Sequence, residues 1–162
     1  ANGAVRDQLA AQRITMPLEA AFPVGEEAYL APFAGQPLDN GAAAKAYADH
    51  YILAHMNASS DGKTYSEVSA ACTAAKKADP TSAETQQTCD LRESLFMGNT
   101  LRSMLLTAYA FGTIGTIASV GAVVMLVGGI LMAILAILGL QHAKKAGDAP
   151  LDAAQHRAGP AA

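Results

Sequence analysis

The chain has 162 residues, a formal net charge of −3 and an apolar fraction of 51%. Residues 1–103 contain eight Lys/Arg and twelve Asp/Glu, which excludes the basic surface that nucleic-acid binding requires. The same segment is rich in alanine and contains no Trp. A core built from small side chains is thin, so we expect this segment to rely on a covalent link or on a partner.

Two short helices and one long loop are predicted before residue 60. Val5 and Leu9, four residues apart, predict a helix over residues 4–13. Residues 17–43 contain four prolines and three glycines and predict a loop, which we expect to be ordered because large apolar residues are interleaved with them. A second helix is predicted over residues 42–57, followed by a turn over 57–62. The predicted docking anchors in the loop are Phe22, Tyr29 and Phe33.

A helix hairpin follows, with a predicted disulfide across it. Thr64 is expected to N-cap a helix over residues 65–78, which Asp79-Pro80 ends, and Thr81 with Glu84 fits a capping box for the next helix. Antiparallel helices on either side of this turn bring Cys72 level with Cys89. A bridge of this span contributes about 3 kcal/mol in the chain-entropy model. The alternative is two unrelated buried thiols.

The strongest signal is a stretch without charge. From Met104 to Leu140 no position is Lys, Arg, Asp, Glu, His, Asn, Gln or Pro. About 20 apolar residues cross a bilayer as a helix. The sequence therefore predicts an all-α membrane protein, with a small helical domain over residues 1–103, one long transmembrane helix over 104–140 and a disordered tail over 141–162. A hairpin of two short membrane helices is the alternative, but no turn residue marks it.

The charges that flank this helix predict its orientation. Lys144 and Lys145 directly follow the apolar run, as is typical of the cytoplasmic end of a membrane helix. We therefore expect a plasma-membrane protein with residues 1–103 outside the cytoplasm and the tail inside. An extracytoplasmic location is also one in which a disulfide persists.

Small residues at intervals of four predict a contact surface on the transmembrane helix. Small side chains at this spacing allow two membrane helices to approach closely. The alternative is the ordinary glycine content of membrane helices. The predicted helix-packing residues are Ala108, Gly112, Gly115, Thr116 and Ser119.

No catalytic or metal-binding set is predicted. His50 and His55 are five residues apart, so they lie on different faces of a helix. Gly62-Lys63-Thr64 matches the end of a phosphate-binding loop, but the glycine that must lie five positions earlier is Asn57. We expect no catalytic residue, no metal, no cofactor and no small-molecule substrate.

Three segments together resemble a family of small actinobacterial membrane proteins often labelled LigA-like aromatic ring-opening dioxygenases. They are QLAAQRITMP at 8–17, AYADHYI with GKTYSEV at 46–52 and 62–68, and RESLF at 92–96, which leads through Leu101-Arg102 to YAFG at 109–112. One member of the family is an association factor of the respiratory supercomplex that joins cytochrome bcc to the aa3 oxidase. The resemblance also implies a further transmembrane helix before residue 8, which would fall upstream of Ala1. The dioxygenase label implies iron held by His and carboxylate, and these segments contain no such ligand set.

The predicted function is therefore that of a non-catalytic accessory or association subunit of a membrane complex. The resemblance points to the respiratory cytochrome bcc–aa3 supercomplex, with its integral membrane subunits and lipid as partners. The alternative is a membrane-anchored sensor that binds a solute or a lipid outside the cytoplasm, with the Pro/Gly loop as its mouth. A dioxygenase is the third and weakest hypothesis.

Overall fold

The computed structural model describes the backbone of residues 2–147 and the side chains of residues 3–145. The predicted all-α fold is confirmed for these residues, in which the only β contact is an isolated bridge between Thr15 and Pro37. In chain order the helices are α1 (Asn2–Ala11), α2 (Glu27–Leu30), α3 (Gly41–Ala46), α4 (Leu53–Ser60), α5 (Tyr65–Ala78) and α6 (Ala83–Gly147). Short 3₁₀ turns occupy Glu19–Ala21 and Ala31–Phe33.

The predicted loop is ordered by its own backbone. Residues 14–16 pair with residues 36–38 through hydrogen bonds from Met16 N to Gln36 O and from Leu38 N to Ile14 O, each 2.9 Å long. Gly35 has a φ of +66°, a conformation that favours glycine. These contacts close the segment between them into a compact loop. The loop contains the short helix α2, which the sequence did not predict.

A π-helical turn, Tyr47–Ile52, joins α3 to α4. Helix α3 begins at Gly41, one residue before the predicted start, after Asn40, whose side chain accepts a hydrogen bond of 3.0 Å from Ala43 N. Within the turn, the backbone N–H of Leu53 donates to the carbonyl of Ala48, five residues earlier. A π-helical turn holds one residue more than an α-helical turn. The predicted helix over 42–57 is therefore present, but it is not α-helical throughout.

The predicted hairpin and its disulfide are confirmed. Thr64 and Glu67 form a reciprocal capping box at the start of α5, and a disulfide joins Cys72 to Cys89. The second capping box, predicted for Thr81 and Glu84, is wrong. Helix α6 begins at Ala83, because Ser82 accepts the hydrogen bond from Thr85 N instead.

The contact pattern divides the chain into two units, residues 1–117 and residues 118–162. The first unit has a core of leucines, alanines and one methionine drawn from the loop, the π-helical turn and the helices α1, α2, α3 and α6. Its buried members are Leu9, Met16, Leu30, Leu38, Ala43, Ala44, Ala46, Ala48 and Leu105. Because Leu105 lies within the charge-free run, this core includes the first turns of that run.

The second unit contains the remainder of α6 as far as Gly147. All of its side chains that the structure describes, residues 118–145, are exposed. Among the described residues, α6 is the one helix long and apolar enough to cross a membrane. Residues 141–147 are helical, although the tail from 141 onward was predicted to be disordered; residues 148–162 lie outside the described residues.

Candidate interaction surface

The first part of the predicted small-residue stripe lies against this chain's own residues. Ala108 packs on the core of the first unit, and Gly115 is buried. A Cβ atom added to Gly112 would lie 3.8 Å from the Cα of Gly41 at the start of α3. A Cβ atom added to Gly41 would lie 3.1 Å from the Cα of Tyr109. The small side chains therefore allow α3 and α6 of one molecule to approach closely.

Thr116 and Ser119 complete the stripe, and both side chains are exposed. The hydroxyl of Thr116 donates to the carbonyl of Gly112 at 3.0 Å, which satisfies it within its own helix. Contact of this stripe with a second transmembrane helix stays a prediction. The part of the stripe that is exposed for such a contact consists of these two residues.

The three predicted docking anchors differ in exposure. Phe22 and Phe33 are half-buried against the core of the first unit, so most of their apolar surface is used within the chain. Tyr29 is 57% exposed. Its ring stacks on His50 with centroids 4.0 Å apart and planes 7° apart, and His50 Nδ1 lies 2.6 Å from a carboxylate oxygen of Glu26. Tyr29 thus packs on His50 through one face of its ring, and more than half of the residue remains accessible.

A larger exposed apolar surface lies on α6 and was not predicted. We call it the α6 patch, and its members are Phe96, Met97, Leu101 and Met104. Their exposed fractions lie between 54% and 65%. The first three precede the charge-free run, and Phe96 is packed on one side by the ring of Tyr65 at 5.9 Å between centroids. Large exposed apolar side chains grouped on one surface are typical of a protein contact.

Ionic contacts hold the turn of α6 that carries the last two residues of this patch. Arg102 donates from Nε to the carbonyl of Ala48 at 2.9 Å and from an Nη atom to Asp49 at 3.0 Å. Lys45 also donates to Asp49. Partial burial acts to raise the pKa of Asp49, but the hydrogen bonds and charges of Lys45 and Arg102 outweigh it and hold that pKa below its ordinary value. The π-helical turn and α6 are therefore joined by charged hydrogen bonds as well as by apolar packing.

The residues considered for metal or phosphate binding have partners within the chain. His55 Nδ1 lies 2.8 Å from the carbonyl of Tyr51, and Thr64 caps α5. Among the described residues, no group of three or more His, Cys, Asp or Glu is placed to hold a metal ion.

The site is thus a set of exposed apolar and aromatic groups on the helical first unit. Comparisons of the chain with protein-family models, with curated proteins and with solved structures found no match.

Proposed function

We propose that this protein is a non-catalytic accessory subunit of a membrane complex, anchored by α6 and attached to its partner through the α6 patch. The observation that carries the proposal is the exposure of Phe96, Met97 and Leu101 on a part of α6 that precedes the charge-free run. Lipid is available to cover the residues of that run, but these three lie before it. In water they would leave a large apolar surface uncovered, and a protein partner is what covers such surfaces.

The partner we propose is the respiratory cytochrome bcc–aa3 supercomplex. The support for it is the resemblance of residues 8–17, of 46–52 with 62–68, and of 92–96, 101–102 and 109–112 to the family described above. In this proposal the first unit lies on the extracytoplasmic side, because Lys144 and Lys145 follow the apolar run. The disulfide agrees with that side, since oxidising compartments are where such bridges persist.

The test is purification of the tagged chain from native membranes in mild detergent. The material that accompanies it is analysed by haem absorption spectra and mass spectrometry. We expect b-, c- and a-type haems to accompany the wild-type chain. The variant Phe96→Gln/Met97→Gln/Leu101→Gln keeps helix-forming residues while it removes the apolar surface, and we expect at least a tenfold lower haem yield with it.

Val24→Gln is the matched control, because Val24 is an exposed apolar residue outside the α6 patch. It should retain the wild-type haem yield. If the wild-type chain is recovered alone, the proposed partner is wrong. If the triple variant still brings the haems, the supercomplex stands and the α6 patch is not the contact.

A further inference from the structure

A cleft in the first unit lies where α1, the end of the loop and α6 meet. Its volume is about 540 Å³, which falls within the range of about 300–1,000 Å³ typical of small-molecule sites. Residues 39–42 form one wall and α1 contributes Val5 and Arg6. The wall from α6 consists of Tyr109, Gly112, Thr113 and Thr116.

The position of this cleft along α6 is the first clue to its ligand. Counted back from Leu140, about 20 residues of helix cross the hydrocarbon of a bilayer. Tyr109 and Thr116 fall before that stretch, within the charge-free run but next to the folded domain. Tyrosine is enriched in the layer of lipid headgroups, where one side of its ring meets water and the other meets acyl chains. Ile117, one turn after Thr113, is exposed and apolar.

The charges of the cleft are the second clue. Arg6 Nε lies 3.8 Å from an oxygen of Asp39, and the two side chains are 72% and 35% exposed. A pair this long and this open contributes little to stability, so either member can exchange its partner at small cost. A phosphate group would pair with Arg6, and an ammonium group would pair with Asp39. One further cation lies near, since Lys45 Nζ is 5.8 Å from the ring centre of Tyr109 and pairs with Asp49.

From this juxtaposition we propose that the cleft binds the headgroup of a zwitterionic aminophospholipid, with its phosphate on Arg6 and its ammonium on Asp39. The acyl chains then lie against the exposed apolar side chain of Ile117. An anionic lipid fits less well, because its headgroup brings no cation for Asp39 and residues 1–103 have an excess of four acidic residues. The site goes beyond the proposed function, and it does not depend on which complex the chain joins.

The test is native mass spectrometry of the full chain in detergent, titrated with phosphatidylethanolamine, phosphatidylglycerol or phosphatidylcholine. We expect a single phosphatidylethanolamine adduct with the lowest Kd of the three. Arg6→Gln should raise that Kd about tenfold, the loss of one charge-assisted hydrogen bond. Asp39→Asn should abolish the preference for phosphatidylethanolamine over phosphatidylglycerol. Lys76→Gln is the matched control, because it removes a positive charge from an exposed position on α5 outside the cleft. It should bind phosphatidylethanolamine as the wild type does.

Glycerophosphoethanolamine, which has the headgroup and no acyl chain, separates the lipid from its soluble headgroup. We expect it to compete only at concentrations at least a hundredfold above the lipid Kd, since the acyl chains supply most of the apolar contact. Equal binding of the three lipids, unchanged by Arg6→Gln, would overturn the proposal and indicate nonspecific lipid around α6. Competition by glycerophosphoethanolamine at the lipid Kd would also overturn it, in favour of a soluble ligand. Far-UV circular dichroism establishes that each variant is folded.

Discussion

The two units of this chain share one helix but differ in what surrounds it. Up to Ile117, α6 alternates between buried and exposed positions, and Leu95 and Leu105 are buried by the rest of the chain. From 118 to 145 every described side chain of the same helix is exposed. The first part is stabilised by contacts that can be named residue by residue. The second part has no such contacts within its own described residues, and its length and apolar surface are compatible with a membrane span.

The clearest way to break this comparison is to truncate one leucine in each unit. Leu30 is fully buried in the first unit, whereas Leu131 is exposed in the second. Leu30→Ala should lower the free energy of unfolding of the first unit by about 3 kcal/mol, because it removes buried methyl groups and leaves a cavity. Leu131→Ala should change it by less than about 0.5 kcal/mol.

Tyrosine fluorescence during denaturation in nanodiscs measures the first unit alone. The chain has five tyrosines and no tryptophan, and the last tyrosine is Tyr109. Equal losses of stability from both leucine variants would show that the two units unfold as one, and the comparison would fail.

An effect of intermediate size is expected from the ionic contacts of the first unit. Asp49→Asn should cost about 2 kcal/mol at pH 7, since it leaves Arg102 facing an uncharged amide at a partly buried position. The folded-state pKa of Asp49 is lowered. Its contribution is therefore complete above the unfolded-state pKa and is lost as the pH falls through the folded-state value.

The measurement is the same unfolding experiment repeated between pH 7 and pH 3. The difference between the wild type and Asp49→Asn should shrink below about pH 4. Asp90→Asn is the control, because Asp90 is exposed and accepts a hydrogen bond from Gln86 on its own helix. A pH-independent difference for Asp49→Asn would mean that its cost is steric rather than ionic.

The smallest expected changes in stability come from alanine substitutions at the contact of α3 with α6 in the first unit. Gly41→Ala places a methyl group 3.1 Å from backbone that cannot move aside, and we expect a loss of about 1 kcal/mol. Gly112→Ala meets ordinary contact at 3.8 Å, so it should be neutral or gain up to about 1 kcal/mol from helix propensity. Gly121→Ala, with open space around it, serves as the control. A larger loss of stability from Gly112→Ala than from Gly41→Ala would contradict the packing described.

Local signals in the sequence were sufficient for the hairpin and for the long apolar helix. Thr64 and Glu67 are three residues apart and cap α5 without help from the rest of the chain. Cys72 and Cys89 are brought level by a turn between two helices whose ends are marked in the sequence. The predicted start of α6 is wrong by one residue, because Thr81 and Ser82 are adjacent and either can act as its N-cap.

The features that were missed depend on contacts between distant residues. Arg102 pairs with Asp49, 53 residues earlier, and no local pattern indicates such a pair. The small-residue stripe shows the same limit. Its spacing predicts that a helix approaches Ala108 and Gly112 closely, but only the structure identifies Gly41 of the same chain as what approaches. The α6 patch was missed because its exposure depends on which face of α6 the rest of the first unit covers.

The π-helical turn at 47–52 has a consequence for how the length of this chain can vary. Before the turn, Gly41 contacts α6 at Tyr109, and after it Met56 lies against α6 at Gly98. The wide turn takes up one additional residue and so allows both contacts to form in the same molecule. If one residue between 47 and 52 were deleted, we expect the segment to form an unbroken α-helix that keeps both contacts. The widened turn from which Asp49 reaches Arg102 would then be lost. Single-residue gaps between related sequences are therefore expected to fall at this turn, and ionic pairing with α6 is expected to vary with them.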